Sequence, residues 1–202
     1  ASPKGNLNSP KLNSAATGNK SFGYFGGGQI PSTTATVSRI DYSNDTATAS
    51  PKGSLTAARY GLGGVSGTDG GVNNTLTVPN TFPAINLVTG NYETAQTGYF
   101  GGSAVDRIDY SNDTATASPK GPLSLARYYL AATGNSSFGY FGGGRSNIST
   151  EYSTVDRIDY SNDTSTASPK GPLSAARYAL AASSPKANAL PTINILFPAP
   201  PG

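Results

Sequence analysis

The sequence predicts an all-β protein built from four-stranded units repeated at about 50 residues. Three observations carry that expectation. The stretch from Val155 to Tyr178 recurs almost word for word from Val105 to Tyr128 and from Val37 to Tyr60. Marker residues keep step: Arg39, Arg107 and Arg157 stand 68 and 50 residues apart, and Pro3, Pro51, Pro119 and Pro169 stand 48, 68 and 50 apart. Each short apolar stretch is bounded by Gly, Asn, Asp or Pro turn signals, in a chain of 202 residues with 25 Gly and 15 Pro. A fixed period of this size marks a repeat architecture, whatever chemistry the motif carries.

One unit shows the expected elements in order. Arg127 to Thr133 reads as a first strand ending at the turn Gly134-Asn135. Ser137 to Phe141 is a second, ending at Gly142-Gly143-Gly144. Thr154 to Tyr160 is a third, ending at Ser161-Asn162-Asp163, and Thr164 to Ala167 is a fourth, ending at Pro169 to Pro172. In the third, Val155, Arg157 and Asp159 share one face and Asp156, Ile158 and Tyr160 the other, because strand side chains alternate. Neither face is purely apolar, which suits a strand packed between neighbouring sheets. Pro172 to Ala182 has Ala and Leu at helical spacing, but its Ala-Ala-Arg-Tyr motif leads into a strand in the preceding unit. An extended segment is therefore expected there.

The repeat domain is expected to cover residues 1–188, in units of about 6–53, 54–121 and 122–171 with a partial unit at 172–188. The middle unit is enlarged. Arg59 to Tyr99 spans 40 residues where Arg127 to Tyr140 spans 13, so 27 are inserted, roughly over 64–92. The spacers Gly28–Arg39, Gly102–Arg107 and Gly144–Arg157 also differ, at 11, 5 and 13 residues. Variable length marks surface loops, here 29–36, 64–97 and 145–153. Residues 189–202 leave the repeat and read as a Pro-rich extended tail that pairs outside its own unit.

Composition excludes several functions. Lys plus Arg number 14 and Asp plus Glu 11, a net charge of +3, with the lysines scattered. Nucleic-acid binding needs clustered cations and is not expected. Cys, His, Met and Trp are absent, so neither a disulfide framework nor the usual zinc, copper or haem ligands are available. No Ser-His-Asp catalytic set exists without histidine. A chain without Met is expected to be processed, trimmed or part of a longer one. No apolar run is long enough for a membrane span.

The residues that look chemical have competing readings. Asp156 and Asp159 resemble a glycosidase pair, but acids recur at these positions, as Asp106 and Asp109 in the second unit and Asp41 in the first, whereas an active site is usually unique. Structural ion pairs are expected instead, drawn from Arg39, Asp41, Arg59, Arg107, Asp109, Arg127, Arg157, Asp159 and Arg177. Asn162, Asp163 and Thr164 offer calcium oxygens, against a plain Asx turn; no cofactor is expected. Recurring Tyr140 and Tyr160 suit packing between repeats. Tyr92, Tyr152, Asn147 and Glu151 lie in the parts that differ between units and are the candidate ligand-binding residues.

A strand ending in Gly142-Gly143, a variable loop, the strand of Tyr160, a fourth strand and a small-residue motif before Arg177 resemble kelch-type β-propeller repeats. The usual tryptophan of the fourth strand is replaced by Thr166 or Ala167. The wording of Arg107 to Ser118, Leu130 to Asn135 and Phe138 to Gly144 is similar to repeat proteins of marine and cyanobacterial tailed phages, regarded as virion structural or tail-fibre proteins. The resemblance implies kelch-like propeller blades, closed or extended through oligomerisation, at an extracellular or virion surface. The expected function is non-enzymatic attachment through variable loops, with self, other virion or filament proteins, or a host-surface glycan as partner. The alternatives are a structural filament or decoration subunit assembled by end-strand exchange and, more remotely, a carbohydrate-active propeller enzyme.

Overall fold

The computed structural model describes residues 2–19, 21–67, 96–135, 137–146 and 149–183. Twelve strands form three antiparallel four-stranded sheets. The first contains β1 (Ala15–Gly18), β2 (Phe22–Gly26), β3 (Val37–Asp41) and β4 (Ser50–Lys52). The second contains β5 (Gly63–Gly67), β6 (Thr97–Gly101), β7 (Val105–Asp109) and β8 (Ser118–Lys120). The third contains β9 (Ala131–Gly134), β10 (Phe138–Gly142), β11 (Val155–Asp159) and β12 (Ser168–Lys170). Each sheet is a simple meander in chain order, and the registers repeat: Tyr24↔Arg39, Tyr99↔Arg107 and Tyr140↔Arg157 are paired positions.

Short-range chemistry sets the ends of these strands. Tyr42–Asn44, Tyr110–Asn112 and Tyr160–Asn162 are single 3₁₀ turns after the third strand of each unit. Asp41, Asp109 and Asp159 cap them, each accepting the main-chain N–H two residues on, from Ser43, Ser111 and Ser161 at 2.9, 2.8 and 3.0 Å. The turn consumes Tyr160, and the fourth strand lies at Ser168–Lys170, later than the expected Thr164–Ala167. Proline fits there because the strand is the outermost of its sheet and the missing N–H is not needed by the ladder. Residues 172–182 are not helical. The insertion begins later than expected: Gly64–Gly67 belong to β5, paired with Gly98 and its neighbours, and most of 64–92 lies outside the described residues, as does the tail 189–202.

The expectation of a kelch-like β-propeller is overturned. The three sheets are separate and open, and none curls or closes. They lie in series, with β5 packed beside both β1 and β9. One apolar cluster joins the first sheet to the second through Tyr24, Val37, Phe100, Ile108 and Tyr110. Another joins the second to the third through Tyr99, Val105, Phe141, Ile158 and Tyr160. The described residues form no such cluster between the first and third. A repeat motif specifies how one unit meets the next, and the three described units supply two junctions.

Both junctions use the same parts. Tyr24 stacks on Tyr110, with ring centroids 4.8 Å apart and planes at 13°; Tyr99 stacks on Tyr160 at 5.0 Å and 14°. The segments between sheets are aligned by a backbone relay at one repeat position, where Asn13, Gly61, Tyr129 and Ala179 all adopt left-handed φ of 54–63°. Gly61 N–H donates to Asn13 O, Tyr129 N–H to Gly61 O and Ala179 N–H to Tyr129 O, at 2.9, 2.6 and 2.8 Å.

Burial pushes the Tyr110 hydroxyl up to about 12, and burial likewise raises Tyr24, Tyr99 and Tyr160 further above the ordinary tyrosine value. Their folded values exceed those of the unfolded chain. They therefore favour folding below about pH 10, and that contribution is lost as the pH rises from about 10 through the folded values. Denaturant titrations should show stability falling steeply from about pH 10 upward, and less steeply for Tyr110→Phe. A stability unchanged across that range would contradict the assignment.

Candidate functional site

The densest charge chemistry lies between the sheets. Asp113 is almost buried and accepts three donors from the preceding unit: Tyr24 Oη at 2.8 Å, Arg39 Nη1 at 2.7 Å and Lys52 Nζ at 3.2 Å. Asp163 repeats this with Tyr99 at 2.9 Å, Arg107 at 2.8 Å and Lys120 at 3.2 Å. Burial alone would raise the Asp113 carboxyl, but the donors Tyr24, Lys52 and Arg39 outweigh it and hold it below the usual carboxylate range.

A second set anchors the segment that leads into each sheet. Asp106 on β7 receives Arg59 Nη2, Thr56 N–H at 3.0 Å and Thr56 Oγ1 at 2.7 Å. Asp156 on β11 receives Arg127 Nη2 at 2.7 Å, Ser124 N–H at 3.2 Å and Ser124 Oγ at 2.6 Å. Arg127 and Asp156 are both 0% exposed. The first unit substitutes the whole set: Ser38 stands in place of the acid and bonds Asn8, while Lys11 stands in place of the arginine and donates to the carbonyls of Phe25 and Thr36 at 3.2 and 2.9 Å.

These placements correct several expected pairs. Arg39, Arg59, Arg107 and Arg127 are in ion pairs, but their acids are Asp113, Asp106, Asp163 and Asp156. Asp41, Asp109 and Asp159 cap turns, and hydrogen bonds from Ser43, Ser111 and Ser161 hold their carboxyls below the usual range. Arg157 lies over the Phe138 ring at 4.2 Å, and Arg177 reaches Ser174 at 3.5 Å. Asp156 and Asp159 sit on opposite faces of β11, and Asp156 has both oxygens engaged. Asp163, weighed for calcium, is committed to its three donors. The described residues contain no group of three or more acidic, His or Cys side chains arranged for a metal, nor a helix long and apolar enough to cross a membrane.

Two of the three parts that differ between units leave from one end. Val37 pairs with Gly26 and Val155 with Gly142, so loops 27–36 and 143–154 leave from the same end as the connections 53–62 and 121–130. The insertion departs from Gly67, which pairs with Thr97 at the opposite end. The three variable segments are therefore not one surface.

At the loop end, Leu12 and Gln29 exchange main-chain hydrogen bonds, both at 3.0 Å, and Tyr128 and Arg145 do the same at 3.0 and 2.9 Å. Arg145 lies between two rings, 4.8 Å from Tyr129 and 4.6 Å from Tyr178, and its main chain runs antiparallel to that of Glu151. Tyr152 is tied by its main chain to Gly144 at 2.9 Å and Arg177 at 3.3 Å. The middle unit has only Gly102–Ala104 between β6 and β7. No described loop residue pairs with Tyr60 as Gln29 and Arg145 pair with Leu12 and Tyr128. Tyr60 is left in a notch, stacked on Tyr128 at 5.4 Å and edge-on to Tyr129 at 5.8 Å. Of the candidate ligand residues, Glu151 is exposed and Tyr152 half-buried, both in the loop beyond Arg145 rather than beside Tyr60; Tyr92 and Asn147 lie outside the described residues. Tyr60 and Arg145 were not singled out in the sequence, although the five-residue spacer beside Tyr60 carried the signal.

The chain matches no model of a known protein family and no curated protein. The resemblance to phage virion repeats gains no support from these comparisons and, with the propeller and carbohydrate binding, is set aside.

Asp156→Ala should cost about 3–5 kcal/mol, because it strands the buried Arg127 charge, whereas Asp156→Leu with Arg127→Met should recover most of that loss in denaturant unfolding. Arg145→Ala removes two ring contacts of about 0.5–1 kcal/mol each. It should speed hydrogen exchange over 145–153 and leave 29–36 unchanged.

Proposed function

We propose that the chain is a non-enzymatic repeat scaffold at an extracellular surface, which attaches to a macromolecular partner through its loop end. The observation that supports this reading is the contrast between the repeated junctions and the unequal loops. The buried acids of the repeat are committed to structure, Asp113 and Asp163 between units and Asp106 and Asp156 within them. Sequence varies where it costs the scaffold least, and there the short middle loop exposes an aromatic notch flanked by two longer loops. Tyrosines held by stacking offer large, rigid contact area at small entropic cost, the usual make-up of an interaction hot spot.

Adhesion of the fluorescently labelled chain to a panel of intact bacterial and eukaryotic cells tests the reading. Binding to at least one surface is expected, with loss of about tenfold or more for Tyr60→Ala combined with Tyr129→Ala, since hot-spot truncations cost about 2 kcal/mol or more. Absence of binding across the panel, or binding indifferent to these changes, would refute it.

A further inference from the structure

The two outer faces of the stack are complementary halves of the junction that occurs twice inside it. On the third unit, Tyr140, Arg157 and Lys170 occupy the repeat positions of Tyr24, Arg39 and Lys52 and of Tyr99, Arg107 and Lys120. Among the described residues these three meet no carboxylate. Arg157 nonetheless lies 4.2 Å over Phe138, as Arg39 lies 4.2 Å over Phe22, so the guanidinium is held in the posture that grips an acid in the first junction. Gly53 and Gly121 touch the next unit so closely that a Cβ would collide with the carbonyl oxygens of Ala115 and Ser165, while a Cβ at Gly171 meets nothing within 4 Å.

The first unit carries the matching half. Asp45 stands where Asp113 and Asp163 stand, and Tyr42 where Tyr110 and Tyr160 stand. Tyr42 is 53% exposed, against 8% and 5% for its counterparts. Among the described residues Asp45 has one ionic partner, Lys4 at 3.3 Å, in a pair open to solvent on both sides. Gly5 N–H donates to Asp45 O at 2.8 Å, as Gly53 does to Asp113 and Gly121 to Asp163. Residues 2–5 thus fill part of a place that the end of a preceding unit fills elsewhere.

We propose that the third unit of one copy docks on the first unit of a second copy, rebuilding the internal junction between chains. This goes beyond the loop-end reading and does not depend on what the loops bind. The Asp45 carboxylate of the second copy accepts from Tyr140, Arg157 and Lys170, and its Tyr42 ring stacks on Tyr140. Lys170 and Gly171 take the place of Lys4 and Gly5, so the first residues of the second copy give way, and residues 172–183 of the first copy give way to residues 6–17 of the second, which hold the same repeat positions. The exchange is favoured because an exposed Lys–Asp pair contributes little, whereas the arriving face brings three convergent donors and a ring. The contact is head to tail, so each docked copy presents a fresh face to another.

Sedimentation velocity on the full 202-residue chain tests this. Mass should rise with protein concentration. Asp45→Ala, with an intact third unit, and Arg157→Glu, with an intact first unit, should each remain monomeric with an unchanged circular dichroism spectrum. Mixed in equal amounts they should form a dimer and nothing larger, because only one competent junction is available. Lys4→Ala should strengthen self-association by removing the competitor. A wild-type chain that stays monomeric at every concentration, single variants that associate like wild type, or a mixture that stays monomeric would each overturn the proposal.

Discussion

The structure depends on a carboxylate that belongs to one unit and is satisfied by another. Asp113 and Asp163 each sit on a turn, yet their donors lie on the strands of the preceding sheet. Coulombic attraction and hydrogen bonding gain strength as water is excluded, and the stacked tyrosine pairs provide that exclusion. Removing either part exposes or strands the other. Charge and ring therefore act as one joint, and the joint fixes the distance and rotation between sheets that share no strand pairing.

The second set of buried acids has a different task. Asp106 and Asp156 secure the segment before each sheet to the third strand of that sheet. Where the first unit lacks the acid it also lacks the arginine, and Ser38 with Asn8 and Lys11 replaces both. This joint substitution within one chain is what the energetics require, since half of a buried ion pair is worse than none. It leaves the loop end rigid enough to hold loops of unequal length, and the notch at Tyr60 follows from the shortest of them.

Much of this was legible in the sequence, and the failures have physical causes. The units, the meander order and the structural use of the recurring charges follow from the period. Asp159 was expected to meet an arginine because it shares a strand face with Arg157, but Ser161 two residues on competes locally for it and wins. The true acids, Asp113 and Asp163, looked like turn residues because their second role is played 43 to 89 residues away in the chain. Comparing repeats would have found the other set, through Arg59 with Asp106 and Lys11 with Ser38. The propeller expectation failed because a repeat encodes its junction and not the number of junctions. The variable segments were grouped together because spacing reveals insertion but not which end of a strand it leaves.

A double-mutant cycle on Arg39→Ala and Asp113→Ala, followed by denaturant unfolding, tests the central claim most directly. Side chains coupled in one network show interaction energies of about 0.5–3 kcal/mol, and a value in the upper part of that range is expected. Arg157→Ala, at the same repeat position without an acid, should change the stability of the monomeric chain by well under 1 kcal/mol. Additive effects of Arg39 and Asp113, or an equal loss at Arg157, would contradict the view that a shared carboxylate holds the units together.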